Sequence, residues 1–243
     1  MKDFTGLVRR CVDDYHMISE GDRIAVGVSG GKDSLALLYA LAELRAYYPK
    51  KFDLTAITLD MGLLGMDFAP VAELCRTLDV PYVRKDTQLY ELIFNVREEK
   101  NPCALCSKMR RGALNDAIGK LGIKKLALGH HLDDAVETMF MSLFYEGRLA
   151  CFQPVTYMSR AQITQIRPLV YARENEVTSY VARKKLPVVK STCPMDGVSR
   201  REEIKELVKV LSDKFPDLKT KVFGAIQRYP LRGWKMPGRE EEK

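Results

Sequence analysis

Residues 29–34 combine the side chains and backbone that hold phosphate groups. They are Ser29, Gly30, Gly31, Lys32, Asp33 and Ser34. Two adjacent glycines let the backbone approach an anion closely, and the first turn of a following helix leaves N–H groups to bind it. The lysine adds a positive charge, and the serines add hydroxyl donors. We predict a phosphate cradle, because a bare turn between a strand and a helix needs neither the lysine nor the serines.

A second polar segment, residues 129–134, has the composition of a magnesium–phosphate site. It consists of Gly129, His130, His131, Leu132, Asp133 and Asp134. One of the two acids is enough to cap the helix that follows, and the imidazoles suit packing as well as ligand contact. Two carboxylates and two imidazoles after an apolar strand are also what a site for magnesium and a triphosphate uses. Both interpretations stay open on these residues alone.

The cysteines offer a third kind of chemistry. Cys103 and Cys106 form a C-x-x-C pair, and Cys193 stands in a polar turn as a candidate third thiolate. One such pair is too few for a tetrahedral structural zinc site, and the sequence has no second pair. An iron–sulfur cubane takes one thiolate per iron, so three cysteines leave one iron open for a small sulfur ligand. The alternative is a redox pair with one unrelated thiol.

These segments must be positioned by a regular scaffold, and the chain alternates short apolar strands with amphipathic helices. Such alternation is typical of a parallel sheet with helices on both faces. Predicted strands span 23–28, 54–59, 81–85, 125–128 and 163–167. Predicted helices span 3–18, 33–47, 68–78, 108–121, 133–145, 173–184 and, as a pair, 199–228. Ligands of these sheets bind at the carboxyl ends of the strands, where segments 29–34, 60–66 and 129–134 are expected to converge.

Composition restricts the class of protein. The 243 residues are 46% hydrophobic, which suffices for one large α/β core with small helical additions. No run of about 18 apolar residues occurs, so we expect no membrane span. The N-terminus has an early acid and no apolar signal core, which predicts a cytoplasmic protein. The net charge of +7 favours a polyanionic partner without identifying it.

The phosphate segment differs from two common nucleotide-binding patterns. The P-loop G-x-x-x-x-G-K-[ST] requires glycine at position 26 and Ser or Thr at position 33, where this chain has Val26 and Asp33. The spacing of the dinucleotide fingerprint G-x-G-x-x-G is absent too. The sequence S-G-G-K-D-S instead resembles the PP-loop of the N-type ATP pyrophosphatases, which split ATP into AMP and pyrophosphate. That resemblance implies an α/β fold with a Rossmann-like parallel sheet.

Three features together resemble the tRNA 2-thiocytidine synthetases and the related tRNA 2-thiouridine synthetases. They are S-G-G-K-D-S, the G-H-H-x-D-D segment and the three cysteines, joined by a C-x-x-C-x-x-x-R-R-G run over 103–112. The similarity covers residues 20–230. Thiouridine synthetases with two zinc fingers carry further C-x-x-C or C-x-x-H pairs, which this chain lacks. The 2-thiocytidine branch, with position 32 of tRNA as its target, is therefore favoured over 2-thiouridine synthesis.

The resemblance implies ATP, Mg2+ and a 4Fe-4S cluster as cofactors. It assigns the cluster to Cys103, Cys106 and Cys193, and it makes Lys32, Asp33 and Asp133 catalytic. Asp33 and Asp133 would also place magnesium. The nucleotide would contact Ser29, Gly30, Gly31, Lys32, Asp33, Ser34, Asp60, Gly129, His130 and Asp134. In the implied reaction ATP adenylates the C2 oxygen of a pyrimidine, and sulfur then replaces the AMP.

The same resemblance implies tRNA as the substrate, a cysteine desulfurase or sulfide as the sulfur donor, and a homodimer. Basic residues would contact the RNA, although each run alone is typical of a solvated helix face. They are Lys108, Arg110, Arg111, residues 183–185, Arg200, Arg201, Arg232 and Lys235, with Tyr229 and Trp234 as stacking partners.

The predicted organisation is an N-terminal helix over 1–19, a PP-loop ATPase domain over 20–195, a helical segment over 196–234, and a disordered tail over 235–243. Two other functions fit parts of the sequence. One is a PP-loop ligase acting on a small molecule, which needs no cluster. The other is a redox- or nucleotide-sensing protein in which the C-x-x-C pair cycles as a dithiol. Iron content separates both from a thiolation enzyme.

Overall fold

The computed structural model describes residues 3–96, 102–195, 197 and 199–229. Its strands are β1 (Asp22–Gly27), β2 (Phe52–Asp60), β3 (Tyr82–Asp86), β4 (Lys125–Ala127), β5 (Val155–Met158) and β6 (Ile163–Ile166). Its α-helices are α1 (Phe4–Asp14), α2 (Lys32–Arg45), α3 (Ala69–Thr77), α4 (Pro102–Lys120), α5 (Leu132–Glu146), α6 (Glu174–Lys184), α7 (Arg200–Lys214) and α8 (Leu218–Arg228). A short π-helix spans Glu91–Val96.

The six strands form one sheet in the order β3-β2-β1-β4-β6-β5. All neighbouring pairs are parallel except β5 and β6, which run antiparallel. β1 lies inside the sheet, and the consecutive residues Ile24, Ala25 and Val26 are all fully buried. This explains the uninterrupted apolar run in the sequence, because a parallel strand covered on both faces has no solvent side.

Helices cover both faces, as the side chains of β1 show. Ile24 and Val26 belong to the larger apolar cluster, which includes residues of α1, α2 and α6. Ala25 belongs to a smaller cluster with Ile118 of α4. The predicted α/β architecture is therefore confirmed. Residues of the terminal helices α1, α7 and α8 pack into the larger cluster as well; the domain boundaries at 19/20 and 195/196 stay predictions.

The predicted strands agree with the observed ones to within two residues at each end, but other elements differ. The helix predicted over 3–18 ends at Asp14, just before His16 takes a left-handed φ of +49°, and the π-helix Glu91–Val96 was not predicted. α4 begins at Pro102 and not at residue 108, so Cys103 and Cys106 lie in its first turns, after a proline that suits the start of a helix. β5 was not predicted. The strand-like segment 186–190 is not a strand: it lies beside the phosphate segment, where the Val189 N–H donates to the Gly30 carbonyl at 2.9 Å.

None of the helices in the described part of the chain is long and apolar enough to cross a bilayer. The charged tail 235–243, and with it Arg232, Trp234 and Lys235, lies outside the described residues.

Candidate active site

A cavity of about 680 Å³ lies at the carboxyl ends of β1, β4 and β6. It brings together the phosphate segment, the 129–134 segment, the N-terminal half of α4 and the chain after α6. The predicted site residues on its wall are Ser29, Asp33, Ser34, Cys103, Cys106, Gly129, His130, Asp134 and Cys193. The convergence follows from topology, because loops after parallel strands share one edge of the sheet.

The phosphate segment is held by its own hydroxyl groups. The Ser29 N–H donates to Ser34 Oγ at 3.1 Å, and the Ser34 hydroxyl donates to the Gly31 carbonyl at 2.9 Å. α2 begins directly after Gly31, and no described side chain caps it. The backbone N–H groups of its first turn therefore remain available for an anion.

Two glycines permit the close packing around this segment. Gly30 has a φ of +84°, and a Cβ there would lie 2.9 Å from Val189 Cβ. A Cβ on Gly129 would lie 2.9 Å from the carbonyl carbon and oxygen of Asp33 and 3.1 Å from the Ser34 nitrogen. The β4 loop therefore contacts the start of α2 backbone to backbone, which only glycine allows at position 129.

Lys32 is held between two carboxylates. Its Nζ lies 2.7 Å from Asp33 Oδ1 and 3.1 Å from Glu174 Oε1. Burial lowers the pKa of Lys32, but the hydrogen bond and charge of Asp33 outweigh it, so the pKa is raised. Burial likewise raises the pKa of Glu174, yet Lys205 and Lys32 bring it down to about 2. Lys32 is thus a charged ammonium whose partners a phosphate can replace.

Sequence reasoning missed Glu174. It is the first residue of α6, and that helix follows β6, whose carboxyl end borders the cavity. Acidic residues are common in the first turn of helices, so the presence of Glu174 there did not indicate a functional role. Only the fold brings Glu174 to Lys32, which is distant in sequence.

The two adjacent acids of the 129–134 segment occupy different environments. Asp133 is 3% exposed and does not line the cavity; its Oδ1 accepts from Lys219 at 2.6 Å and its Oδ2 from the Glu174 N–H at 2.7 Å. Asp134 lines the cavity, and its Oδ1 lies 3.2 Å from Arg201. Both oxygens of Asp133 are therefore engaged in joining α5 to α6 and α8, and Asp134 is the acid at the wall.

The two histidines also differ. His131 caps α5: its Nδ1 accepts from the Asp134 N–H at 3.4 Å, and Asp134 Oδ2 accepts from the His131 N–H at 2.9 Å. His130 lines the cavity, where its buried Nδ1 has no hydrogen-bond partner among the described residues. Burial lowers the pKa of His130 to about 4, so this imidazole is neutral near pH 7.

Asp60, predicted to contact the nucleotide, does not line the cavity. Its Oδ1 accepts from the Gly62 N–H at 2.9 Å, and its Oδ2 accepts from Arg84 at 2.6 Å. The residues of β2 at the wall are Ile57 and Leu59. The carboxylate of Asp60 therefore shapes the turn after β2.

The three cysteines Cys103, Cys106 and Cys193 all line the cavity. Residues three apart on a helix share a face, so the first two thiols of α4 point the same way. Burial raises the pKa of Cys106, and the charges of Cys193 and Cys103 add to the rise, whereas Arg110 lowers it. Cys103 and Cys193 therefore both lie close enough to Cys106 to influence its charge.

In the described ranges, no three His, Cys, Asp or Glu side chains converge on a single ion. A cubane cluster binds each thiolate at a different iron, so its ligands need not converge on one point. Soft thiolates around one cavity therefore fit a cluster better than a single hard cation.

Some predicted basic residues lie at the cavity and others do not. Arg110 and Arg111 line it. Arg201 is not a lining residue, but its Nη1 lies 3.6 Å from Glu137 Oε2 and 3.2 Å from Asp134 Oδ1. Burial raises the pKa of Glu137 to about 7, and the charge of Asp134 adds to the effect. Lys184 instead pairs with Glu43, away from the cavity.

The sequence of this chain is similar to a known domain family and to several named enzymes. A family model described as a PP-loop domain matches residues 5–210. The tRNA-cytidine(32) 2-sulfurtransferase of Pelobacter propionicus is 39% identical over 222 residues, which cover 90% of this chain and 82% of that protein. The enzyme of the same name from Geobacter sulfurreducens is 38% identical over 231 residues, covering 93% and 89%.

A solved structure resembles the fold as a whole. It is the U34-tRNA thiolase NcsA from Methanococcus maripaludis with its [4Fe-4S] cluster, with a TM-score of 0.74 over 92% of this chain and 77% of that one. At 24% sequence identity this likeness establishes a shared fold.

Proposed function

Because this chain belongs to the PP-loop family, and within it to the tRNA-cytidine(32) 2-sulfurtransferases, we propose that it is an ATP-dependent tRNA sulfurtransferase acting on cytidine 32. One observation supports this most directly: Ser29 and Ser34 of the phosphate segment, the carboxylate pair Asp33 and Asp134, and three cysteines line a single cavity. A ligase acting on a small molecule has no use for the cysteines, and a dithiol sensor has no use for the third one.

The phosphate segment prepares the leaving group. The C2 oxygen of a pyrimidine is amide-like and leaves poorly, so it must first attack the α-phosphate of ATP and release pyrophosphate. The N–H groups of the first turn of α2 bind the departing pyrophosphate, and Lys32 moves from Asp33 and Glu174 to its oxygens. The N–H groups, which the helix fixes before the reaction, stabilise the charge that develops on those oxygens.

Carboxylates on the cavity wall suit magnesium, which prefers oxygen ligands. Asp33 and Asp134 both line the cavity, and we propose that they hold the ion with the phosphates. Asp133 is proposed to position this pair, since it does not line the cavity and its carboxylate joins α5 to α6 and α8. This moves the metal-binding role from Asp133, favoured by the resemblance, to its neighbour.

Cys103, Cys106 and Cys193 are proposed to hold the 4Fe-4S cluster, which would supply sulfur for the replacement of the C2 oxygen when it is bound. The C2–O bond breaks, AMP departs with the former base oxygen, and a C2–S bond takes its place. Arg110 beside Cys106 stabilises thiolate charge at the wall. Sulfide or a cysteine desulfurase is proposed as the sulfur source. We also propose that the protein is a homodimer and that it is located in the cytoplasm.

Replacing any cluster cysteine is expected to remove the iron. In Cys193→Ser, protein purified without oxygen should fall from about four iron atoms per chain to fewer than one, with loss of the visible absorbance. Thiolation should be lost in parallel, while binding of ATP should persist because the phosphate cradle is untouched. Iron, sulfide and bound nucleotide are measured on the same sample.

The matched control is Cys151→Ser. The Cys151 thiol lies off the cavity wall and donates to the Ala135 carbonyl at 3.4 Å, a bond that a serine hydroxyl can keep. This variant should retain its iron and its activity. Full iron content in Cys193→Ser would contradict the assignment of Cys193 as a ligand.

A further inference from the structure

One side of the cavity mouth carries a group of exposed cations. α4 contains Lys108, Arg110 and Arg111, and its first acid is Asp116. Arg110 and Arg111 line the cavity, and all three cations are exposed to solvent. Lys108 and Arg111 are three residues apart, so they lie on the same side of the helix, where like charges repel. An anion bound between them would remove that repulsion.

This cationic side of α4 continues towards the turn between β5 and β6. Asn115 follows Arg111 by one helical turn, and its Nδ2 lies 3.8 Å from Sδ of Met158, the last residue of β5. Arg160 is exposed in the turn that leads on to β6. We call Lys108, Arg111 and Arg160 the α4 stripe. It runs from the cavity mouth along one side of the molecule.

The cations of the α4 stripe are not neutralised by the protein. None of the three forms an ion pair with a carboxylate in the part of the chain that the structure describes. Lys120 of the same helix differs, because its Nζ lies 3.0 Å from Asp116 Oδ2. A phosphate that binds the α4 stripe therefore releases small counterions and breaks no ion pair of these residues.

The cations of α7 offer a poorer surface to an RNA strand. Nη1 of Arg201 lies 3.2 Å from Asp134 and 3.6 Å from Glu137, and the Arg200 guanidinium lies 5.1 Å from the centre of the Tyr145 ring. The first turn of α7 also carries two acids. A phosphate on this side would have to displace carboxylates and would be repelled by others. The structure thus separates two groups of basic residues that the sequence alone left equivalent.

We infer that the α4 stripe binds the phosphate backbone of the tRNA beside the target base. The base has to enter the cavity, whose α4 wall carries Cys103 and Cys106, while its backbone stays at the mouth. The phosphates next to the base then face Lys108 and Arg111, and more distant phosphates face Arg160. Such contacts fix the position of the RNA and leave the choice of base to the cavity. This assignment rests on the proposed function and adds a docking surface to it.

The salt dependence of tRNA binding tests the α4 stripe. A tRNA transcript with cytidine at position 32 is titrated with the cluster-loaded protein over a range of salt concentrations. Lys108→Gln, Arg111→Gln and Arg160→Gln should each weaken binding about 5- to 10-fold at about 0.1 M salt. Each should also reduce the slope of log affinity against log salt by about 0.7–0.9, the contribution of one phosphate contact. Affinity for a non-hydrolysable ATP analogue should not change.

Lys120→Gln is the matched control, because it removes an exposed cation from the same helix, but one that is paired with Asp116. Its tRNA affinity and its salt slope should stay close to those of the wild type. An equal loss in this control would show an effect of net charge alone and would overturn the docking surface. Unchanged salt slopes in all three variants of the α4 stripe would overturn it as well.

Two further outcomes separate the docking surface from the proposed function. The stripe variants could bind tRNA normally and thiolate it with sulfide but not with a cysteine desulfurase. The α4 stripe would then bind the sulfur-donor protein, and its assignment to RNA would be wrong. A wild-type protein that binds no tRNA at any salt concentration overturns the proposed function itself.

Discussion

Lys32→Ala should reduce the rate of tRNA thiolation by at least about 100-fold, the size of effect seen when one donor to a developing charge is removed. The ammonium is the only side-chain cation of the 29–34 segment, and Asp33 and Glu174 hold it beside the start of α2. Without it, the Asp33 carboxylate would face the pyrophosphate without the lysine that now pairs with it. The measurement is the initial rate of thiolated-tRNA formation at saturating ATP.

Lys205→Ala is the matched control, because Lys205 Nζ also lies 3.1 Å from Glu174 Oε1 but does not belong to the 29–34 segment. It removes a lysine from the same carboxylate and leaves the phosphate donors intact. Its rate should stay within a few-fold of the wild type. Equal losses in the two variants would show that the position of Glu174, and not contact with phosphate, explains the effect of Lys32.

Gly129→Ala should damage both stability and nucleotide binding. The new Cβ would meet the backbone of Asp33 and Ser34, which cannot move aside like the end of a flexible side chain. Forcing a methyl group into a packed contact costs about 1–3 kcal/mol of unfolding free energy. The start of α2 must shift, so affinity for ATP should fall about 10-fold or more, since 1.4 kcal/mol is tenfold. Denaturant unfolding and ATP titration measure the two effects.

Gly119→Ala is the matched control, for which we expect the opposite change in unfolding free energy. Gly119 is exposed in α4, and a Cβ there meets nothing within 4 Å. Alanine in a helix should raise the unfolding free energy by about 0.5–1 kcal/mol with no change in ATP affinity. If Gly129→Ala behaved in the same way, the backbone contact between the two segments would not be what shapes the phosphate site.

Local structure that depends on residues adjacent in the chain could be predicted from the sequence. The glycines, lysine and serines of 29–34 lie between an apolar strand and a periodic helix, so their local structure followed from adjacent residues. β5 could not be predicted in the same way. It is a four-residue edge strand whose one partner among the described strands is β6, with which it runs antiparallel. A pattern of alternating strands and helices carries no information about such a partner.

The acids show why the site itself was only partly predictable. Successive residues of a helix point about 100° apart, so only one of Asp133 and Asp134 can face the cavity directly. Which one does so depends on how α5 is rotated against α6 and α8, which the segment 129–134 does not encode. Glu174 was missed for the related reason that its partner Lys32 is distant in sequence.

The central claim is that one cavity joins ATP activation to sulfur insertion at cytidine 32. The direct measurement is nucleoside mass spectrometry of tRNA incubated without oxygen with the cluster-loaded protein, ATP, Mg2+ and sulfide. We predict 2-thiocytidine at position 32, formed in step with AMP and pyrophosphate and absent when ATP is omitted. Unmodified tRNA from a protein that holds its iron and binds ATP would contradict the claim.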